Sequence, residues 1–386
     1  MAGELAPIAA DGSIPLWTAP GDDWDAKVDS AVAAQLAARD RDPITRPIVL
    51  PTADIRTGKS RVMPPGLVLD YPYGHAGFQR GAQTTRCSWT YTGSGSMWKL
   101  GEGQDFDWSV TGIAFQATQA GATLFDSNGK VGWTGRLRDV AASGWTHVVF
   151  GPQGKFLNTL ITVEGFCNWN NARGTQAAFG GSDARIACSR WAMDIGGNGQ
   201  FQKEFAESNA FLVEFLSQQK TPVQGIYATA QGKANGLRVR NSDTDGPMNV
   251  TDSVIEGRNA KQPCERRIVS VERGIAQFDR VQLNYVKRPV DQNGSMPDRG
   301  AGVVVEGGAR AFFHQVSHTR ADGVSEDVPV VLVKAGAEVD IRQAVAVGTV
   351  GDGKANTSWR DRRIRVFAED GAKVTADDSV VVLRSA

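Results

Sequence analysis

The chain has 386 residues, more than the roughly 100–200 that one compact domain usually holds. Lys+Arg and Asp+Glu number 42 each, so the formal charge is zero, which excludes the basic excess a nucleic-acid-binding face needs. No run approaches the ~18 apolar residues of a membrane span, and the opening Met1-Ala-Gly-Glu-Leu-Ala-Pro-Ile lacks the charged and apolar regions of a secretory signal.

The first 21 residues read as extended, because Pro7, Pro15 and Pro20 with Gly3, Gly12 and Gly21 block regular elements. Ile8, Ile14, Leu16 and Trp17 are too apolar for a free tail, so this arm is expected to lie on its own domain or on a partner. A helix is predicted over 24–39, capped by Asp22 or Asp23, with Asp25 and Arg39 placed to suit the helix dipole. Trp24, Val28, Ala31, Val32, Gln35 and Leu36 form one narrow stripe. Sixteen residues of helix are marginal alone, so the stripe must pack. A short bundle with copies of itself is the preferred reading; packing on its own chain is the alternative. Residues 1–40 are thus an arm and helix for attachment or oligomerisation. Pro43, Pro47 and Pro51 mark a linker over 41–58.

From residue 59 onward the pattern turns to period two, as in Trp108-Ser-Val110-Thr-Gly-Ile113-Ala-Phe115 and Leu160-Ile-Thr-Val163. Turn formers such as Ser127-Asn-Gly129 and Gly196-Gly-Asn-Gly199 separate the runs. The stretch from Phe201 to Leu216 is mixed and suits a helix or a strand. The back half repeats: Gly308-Ala-Arg-Ala-Phe-Phe-His-Gln aligns with Gly336-Ala-Glu-Val-Asp-Ile-Arg-Gln and Gly371-Ala-Lys-Val-Thr-Ala-Asp-Asp. Looser copies start at Gly274 and Gly246, giving intervals of 28, 34, 28 and 35 residues. Strand, glycine turn, strand, turn, strand at that period reads as one rung of a parallel β-solenoid with loops of variable length. The fold class expected is therefore all-β, a right-handed parallel β-helix over 59–386. The rival is a pair of antiparallel β-sandwiches.

Val62-Met-Pro-Pro-Gly-Leu-Val-Leu, Gly77-Phe-Gln-Arg-Gly-Ala, and Cys87-Ser-Trp-Thr-Tyr-Thr-Gly-Ser-Gly-Ser-Met-Trp-Lys-Leu together resemble the opening of pectate-lyase-like β-helix proteins. Val110-Thr-Gly-Ile-Ala-Phe is similar to that family's recurrent coil strand. The resemblance spans about 58–386 and implies fold, not chemistry, because this fold hosts lyases, hydrolases and plain binders. The extended N-terminus, single helix and β-helix also resemble phage tailspikes and minor tail proteins, in the compositional style of phages of high-GC Gram-positive bacteria. That resemblance implies a virion protein, homotrimeric, docked to other tail proteins through residues 1–40, with a host cell-envelope glycan or receptor as its target. The chain departs from it in ending on Val380-Val-Val-Leu-Arg-Ser-Ala, with no separate trimerisation module.

No catalytic residue can be assigned from sequence, and no metal or cofactor site is expected. Glycoside hydrolysis needs two carboxylates about 5–9.5 Å apart across a groove. The candidates on loops are Asp183, Asp194, Asp243, Asp245 and Glu256, each of which also suits a turn. Asn241-Ser-Asp243-Thr-Asp245-Gly246, with Asp252 at its twelfth position, resembles half a calcium loop, but Asp252 replaces the usual Glu and Pro247 follows the Gly. His314 and His318 fall on one face if a single strand carries both, as a surface ladder rather than a metal pair. Cys87, Cys167, Cys188 and Cys264 form no C-x-x-C pair and read as packing residues, with Cys167 and Cys188 stacked in successive coils. Nine of ten tryptophans precede residue 192, fit for core packing or for sugar stacking. The reading is a structural, non-enzymatic subunit for host-surface adhesion without membrane insertion. The alternative is a polysaccharide depolymerase on the same scaffold, phage or bacterial.

Overall fold

The computed structural model describes residues 4–42, 45–72, 87–100, 106–127, 133–151, 160–165, 167–170, 173–175, 177–188, 191–194, 210–218, 222–230, 235–240, 247–257, 267–284, 297–320, 328–349, 355–356 and 362–385. The chain winds through three strands per rung, and each strand pairs in parallel with its counterpart one rung away. Three successive rungs illustrate the plan. Ile275–Asp279, Arg310–His314 and Glu338–Arg342 form the first face; Gln282–Asn284, Ser317–Arg320 and Val345–Thr349 the second; Val303–Val305, Val331–Val333 and Ile364–Ala368 the third. Strand Ala177–Cys188 bends round a corner, pairing with the third face at Ala177 and the first at Arg185. Among the described residues one pairing is antiparallel, Gly348–Thr349 with Ala355–Asn356. This is the right-handed parallel β-helix expected. Antiparallel sandwiches do not fit parallel rungs.

The period-two pattern becomes columns along the axis. On the first face the inward column runs Ile48, Leu69, Val110, Leu137, Val163 and, beyond the register position of Cys188, Val223, Val250, Phe278, Phe313, Ile341. On the third it ends in Leu237, Val269, Val303, Val331, Val366, Val382. Each fully buried aliphatic side chain contributes about 1.5–3 kcal/mol. The columns therefore hold the rod together rung upon rung, as a solenoid must. The repeated glycines earn their positions by backbone shape. Gly274, Gly308, Gly336 and Gly371 all have φ between +74° and +83°, a region that costs other residues about 1–2 kcal/mol. The Gly308 N–H donates to the Gly336 carbonyl and the Gly336 N–H to that of Gly371, so the turns stack. Gly246 lies outside the described residues.

A second left-handed column turns the first face into the second. It contains Gly112, Asp139, Gly165, Gly225, Asp252, Arg280, Gln315 and Gln343, five of them not glycine. Each corner turns on a single left-handed residue. The Asp252 N–H donates to Asp279 O, that of Arg280 to His314 O, and that of Gln315 to Arg342 O, so each corner is bonded to the next rung.

The front of the rod is packed with aromatics. Trp89, Trp98, Trp108, Trp145 and Trp169 are fully buried, Trp108 stacks on Phe125 at 4.8 Å, and Tyr91 stacks on Trp145 at 5.8 Å. These five tryptophans serve the core and not sugar stacking. Cys87 and Cys167 are buried free thiols, and burial pushes both up to about 12, far from a reactive thiolate. The expected stacking of Cys167 on Cys188 is wrong. Cys188 pairs with Val163 on the first face, and Cys167 pairs with Trp191 on the second. The step between these rungs is 24–25 residues, not 21, so the two cysteines fall on different faces. Cys264 lies outside the described residues, as does the first part of the ambiguous 201–216 stretch; its end belongs to strand Phe211–Gln218.

The helix spans Trp24–Arg41, and Asp23 caps it, its carboxylate accepting from the Ala26 N–H at 2.7 Å. Its stripe packs on its own chain, the alternative reading. Val28, Ala31 and Ala34 join the main core beside Ile14, Ile48 and Ile55, so the helix closes the open end of the first rung. Alanines on this face let the helix lie close. The stretch expected as a linker over 41–58 carries strands Ile48–Val49 and Asp54–Thr57, which pair with Val68–Asp70 and Ser88–Tyr91. The arm adds Ile14–Pro15 alongside Ile48–Val49. Arg61, 4% exposed, fastens the helix to the rod: its Nη2 donates to Asp25 Oδ1 at 2.6 Å and its Nε to Asp29 Oδ1 at 2.8 Å. Burial pushes the Asp25 carboxyl up, but the Gly58 and Lys59 N–H groups and Arg61 outweigh that and hold it below the usual range.

Candidate functional site

Outward positions on the first face form a grid. Strand alternation sets every second residue outward, and rungs repeat about every 4.8 Å. One row reads Gln277, Phe312, Asp340; the next reads Asp279, His314, Arg342. Gln277, Phe312, Asp340, His314 and Arg342 line a groove of about 490 Å³ with residues Pro247, Ile275 and Phe313; Asp279 stands behind His314. Phe312 is the conspicuous member. Its neighbour Phe313 fills the inward column, so the strand leaves Phe312 39% exposed.

The polar walls are organised by ion pairs. His314 Nδ1 lies 2.8 Å from Asp279 Oδ1. The other Asp279 oxygen accepts from Arg280 Nη1. Arg280 also grips Asp252, Nε to Oδ1 at 2.6 Å and Nη2 to Oδ2 at 3.1 Å. That grip draws the Asp252 carboxyl below its usual range. Asp340 accepts from Arg342 Nε and Nη2 at 2.8 and 2.9 Å, a two-pronged pair that fixes both planes. Arg280 can reach both carboxylates because it stands at a left-handed corner, φ +52°, beside Asp252 one rung away at +49°.

The residues singled out from sequence scatter. His314 and His318 do not share a face. Gln315, at φ +53°, turns the corner between strands Arg310–His314 and Ser317–Arg320. His314 stands in the groove, whereas His318 is buried in the second-face column, with Nδ1 2.8 Å from the Leu283 carbonyl. Asp183 falls in strand Ala177–Cys188, at its register shift between faces. Asp243 and Asp245 lie outside the described residues, and Asp252, last of the calcium-like pattern, is bound by Arg280. Among the described residues no group of three or more His, Cys, Asp or Glu is arranged to hold a metal.

Asp194 and Glu256 do come together in register. Both occupy one register row of the second face, with Thr229 between them. Their Cα atoms are thus two rungs, about 9–10 Å, apart. Glu256 Oε1 accepts from the Tyr227 hydroxyl at 2.7 Å and the Thr229 hydroxyl at 3.2 Å.

Sequence reasoning missed Phe312, Asp279, Asp340 and Arg342. One signal was available: two adjacent phenylalanines in a half-buried strand force one of them outward.

No protein-family model matches the chain, and no curated protein matches it in sequence. Similar solved structures exist. The A-module of the Azotobacter vinelandii mannuronan C-5 epimerase AlgE4 is 11% identical, with a TM-score of 0.52 over 96% of this chain and 97% of that one. The Agl-KA catalytic domain is 10% identical, with a TM-score of 0.43 over 97% of this chain and 70% of that one. The likeness to the epimerase module is one of fold along nearly the whole length of both chains.

Proposed function

We propose that the chain is a glycan-binding β-helix that serves as a host-adhesion subunit of a phage tail, docked through residues 1–40. Phe312 carries the glycan reading. A sugar ring offers an apolar face and a rim of hydroxyls, so its receptor needs an exposed aromatic surface beside planar hydrogen-bonding groups. Phe312 has Gln277, His314, Asp340 and Arg342 around it in one groove.

The tail setting rests on the sequence resemblance and is supported by the arm. Leu5, Ile8 and Trp17 are each 45–46% exposed there, large apolar side chains that a partner would cover. Three copies on one fibre multiply weak glycan contacts into avidity. Among the described residues no helix is long and apolar enough to cross a membrane.

Binding to cell-wall polysaccharide from a high-GC Gram-positive host tests the glycan reading. Phe312→Ala should weaken it by about tenfold, the ~1.4 kcal/mol of one stacking contact. Unchanged binding would sink the groove as the site. Light scattering should give three times 41.3 kDa, and a Leu5→Ser, Ile8→Ser, Trp17→Ser triple variant should lose that mass or lose docking to the tail. Point substitutions are used because deleting 1–40 would also remove the helix that closes the first rung. A second reading, an enzyme acting on polysaccharide, draws support from the His314–Asp279 pair and from the fold likeness to a module that acts on mannuronan.

A further inference from the structure

We propose that the first-face groove is also hydrolytic, with His314 as the general base that delivers water to an acyl ester, an O-acyl group carried by the bound glycan. The natural substrate class rests on the glycan-binding reading above; the test does not.

The starting point is the orientation of the imidazole. With Nδ1 facing the acceptor Asp279 Oδ1 at 2.8 Å, the proton of the neutral ring belongs on Nδ1, and Nε2 is the nitrogen that carries the lone pair. Asp279 is itself held on its other oxygen by Arg280, which is anchored on Asp252. A base held by a carboxylate that is held in turn is the arrangement that general-base catalysis needs.

The neighbouring charges select the bond. Glycosidic cleavage needs a carboxylic acid free to protonate the leaving oxygen. Here Asp252 and Asp279 are engaged by Arg280, Asp340 by Arg342, and Glu338 by Arg310. Proton abstraction beside a uronate carboxylate needs a cation to take up its charge. The guanidinium groups of Arg280, Arg310 and Arg342 are already paired with those same carboxylates. An uncharged acyl ester needs neither. Its hydrolysis asks for one base and a donor toward the carbonyl oxygen, and Gln277 supplies an amide donor in the same groove.

The step balances without a co-reactant. Nε2 takes a proton from water as the water oxygen bonds to the acyl carbon. The tetrahedral adduct collapses, the acyl C–O bond breaks, and the imidazolium returns its proton to the departing sugar oxygen. The products are a carboxylic acid and a free hydroxyl. Asp279 is a positioning residue, since it acts through His314.

The assay is initial-rate hydrolysis of 4-nitrophenyl acetate by the full chain, against imidazole at equal concentration. The wild type should exceed imidazole by about 10²-fold, the lower range of positioned general-base catalysis. His314→Ala should fall to the imidazole level. Asp279→Asn should lower kcat by about tenfold or more and leave KM unchanged, a split that general loosening of the groove would not give. A wild-type rate no higher than imidazole, or a His314→Ala rate equal to wild type, overturns the proposal. Both substitutions lie on the outer surface and leave the inward columns intact, which circular dichroism confirms. Ester cleavage without polysaccharide binding would refute adhesion and leave the hydrolytic step standing. Binding without cleavage would do the reverse.

Discussion

Replacing Arg61 by methionine tests whether the N-terminal helix is a lid fastened to the rod or a loosely attached appendage. The substitution keeps an unbranched apolar stem of similar reach and removes the guanidinium. Two ion-paired hydrogen bonds disappear, to Asp25 at 2.6 Å and to Asp29 at 2.8 Å, along with those to the Asp25 and Lys59 carbonyls at 3.0 and 3.1 Å. Each is worth about 1.5–3 kcal/mol. The two share one donor group, and the carboxylates, 31% and 37% exposed, regain water, so the terms do not add. A net loss of about 2–3 kcal/mol for helix docking follows from these terms. Native-state hydrogen exchange reads it directly, at tenfold per 1.4 kcal/mol. Amides of Trp24–Arg41 should exchange about 30–150 times faster, while those of Val303–Val305 stay as slow as before. Acid adds a second readout. The Asp25 carboxyl is held below its ordinary value of 3.8, so its contribution is complete above 3.8 and is lost as pH falls through the lower folded value. Helix protection in the wild type should therefore hold above pH 3.8 and fall as pH drops from 3.8 toward the lower folded value, a slope that Arg61→Met flattens. Helix amides within threefold of wild type, or equal loosening of every rung, would refute the fastening.

Other perturbations separate the forces in the rod. At Gly135 an added Cβ would sit 2.2 Å from Trp108 Cζ2, so Gly135→Ala should cost about 1–3 kcal/mol in urea unfolding through overpacking. At Gly336 the nearest atom is 3.9 Å from that Cβ and only φ +78° is at stake, so Gly336→Ala should cost about 1–2 kcal/mol through backbone strain alone. Burial lowers the His147 imidazole below its ordinary 6.5, more than the Thr175 carbonyl and Asp126 raise it. The unfolded chain then binds a proton the folded chain refuses, so stability should fall as pH drops from 6.5 toward the lowered value, and His147→Gln should flatten that slope in thermal melts. Cys87 and Cys167 should stay unlabelled by a thiol reagent in the native state and react on unfolding; native labelling would contradict their burial.

The fold was legible because the Gly-Ala turns repeat in the letters and because valine and isoleucine mark the inward positions. Gly308, Gly336 and Gly371 align in the sequence and stack in space. The helix was legible too, down to its Asp23 cap. Its partner was not, since an alanine stripe suits a copy as well as a rung. Where the repeat fades, the letters do not mark rung length, and a 21-residue coil puts Cys188 one strand too far along. The candidate site stayed hidden for a related reason. A single residue in the left-handed region can turn a corner, and Gln315 or Arg280 carries no mark of a turn former. Reading His314 through His318 as one strand followed from that. The pairing of Asp279 with His314 spans 35 positions in the chain, and only the rung register brings them together.

The corner column that joins the first and second faces has one more consequence. Because each rung turns on one residue, bonded to the same place in the rung beyond it, inward and outward letters stay in phase from rung to rung. Gln277, Phe312 and Asp340 can therefore be rewritten without disturbing Phe278, Phe313 and Ile341, their immediate neighbours in sequence. A polymer lying along the axis meets a new outward residue about every 4.8 Å. Such a surface can change what it grips one letter at a time while the interior goes on spelling the same word.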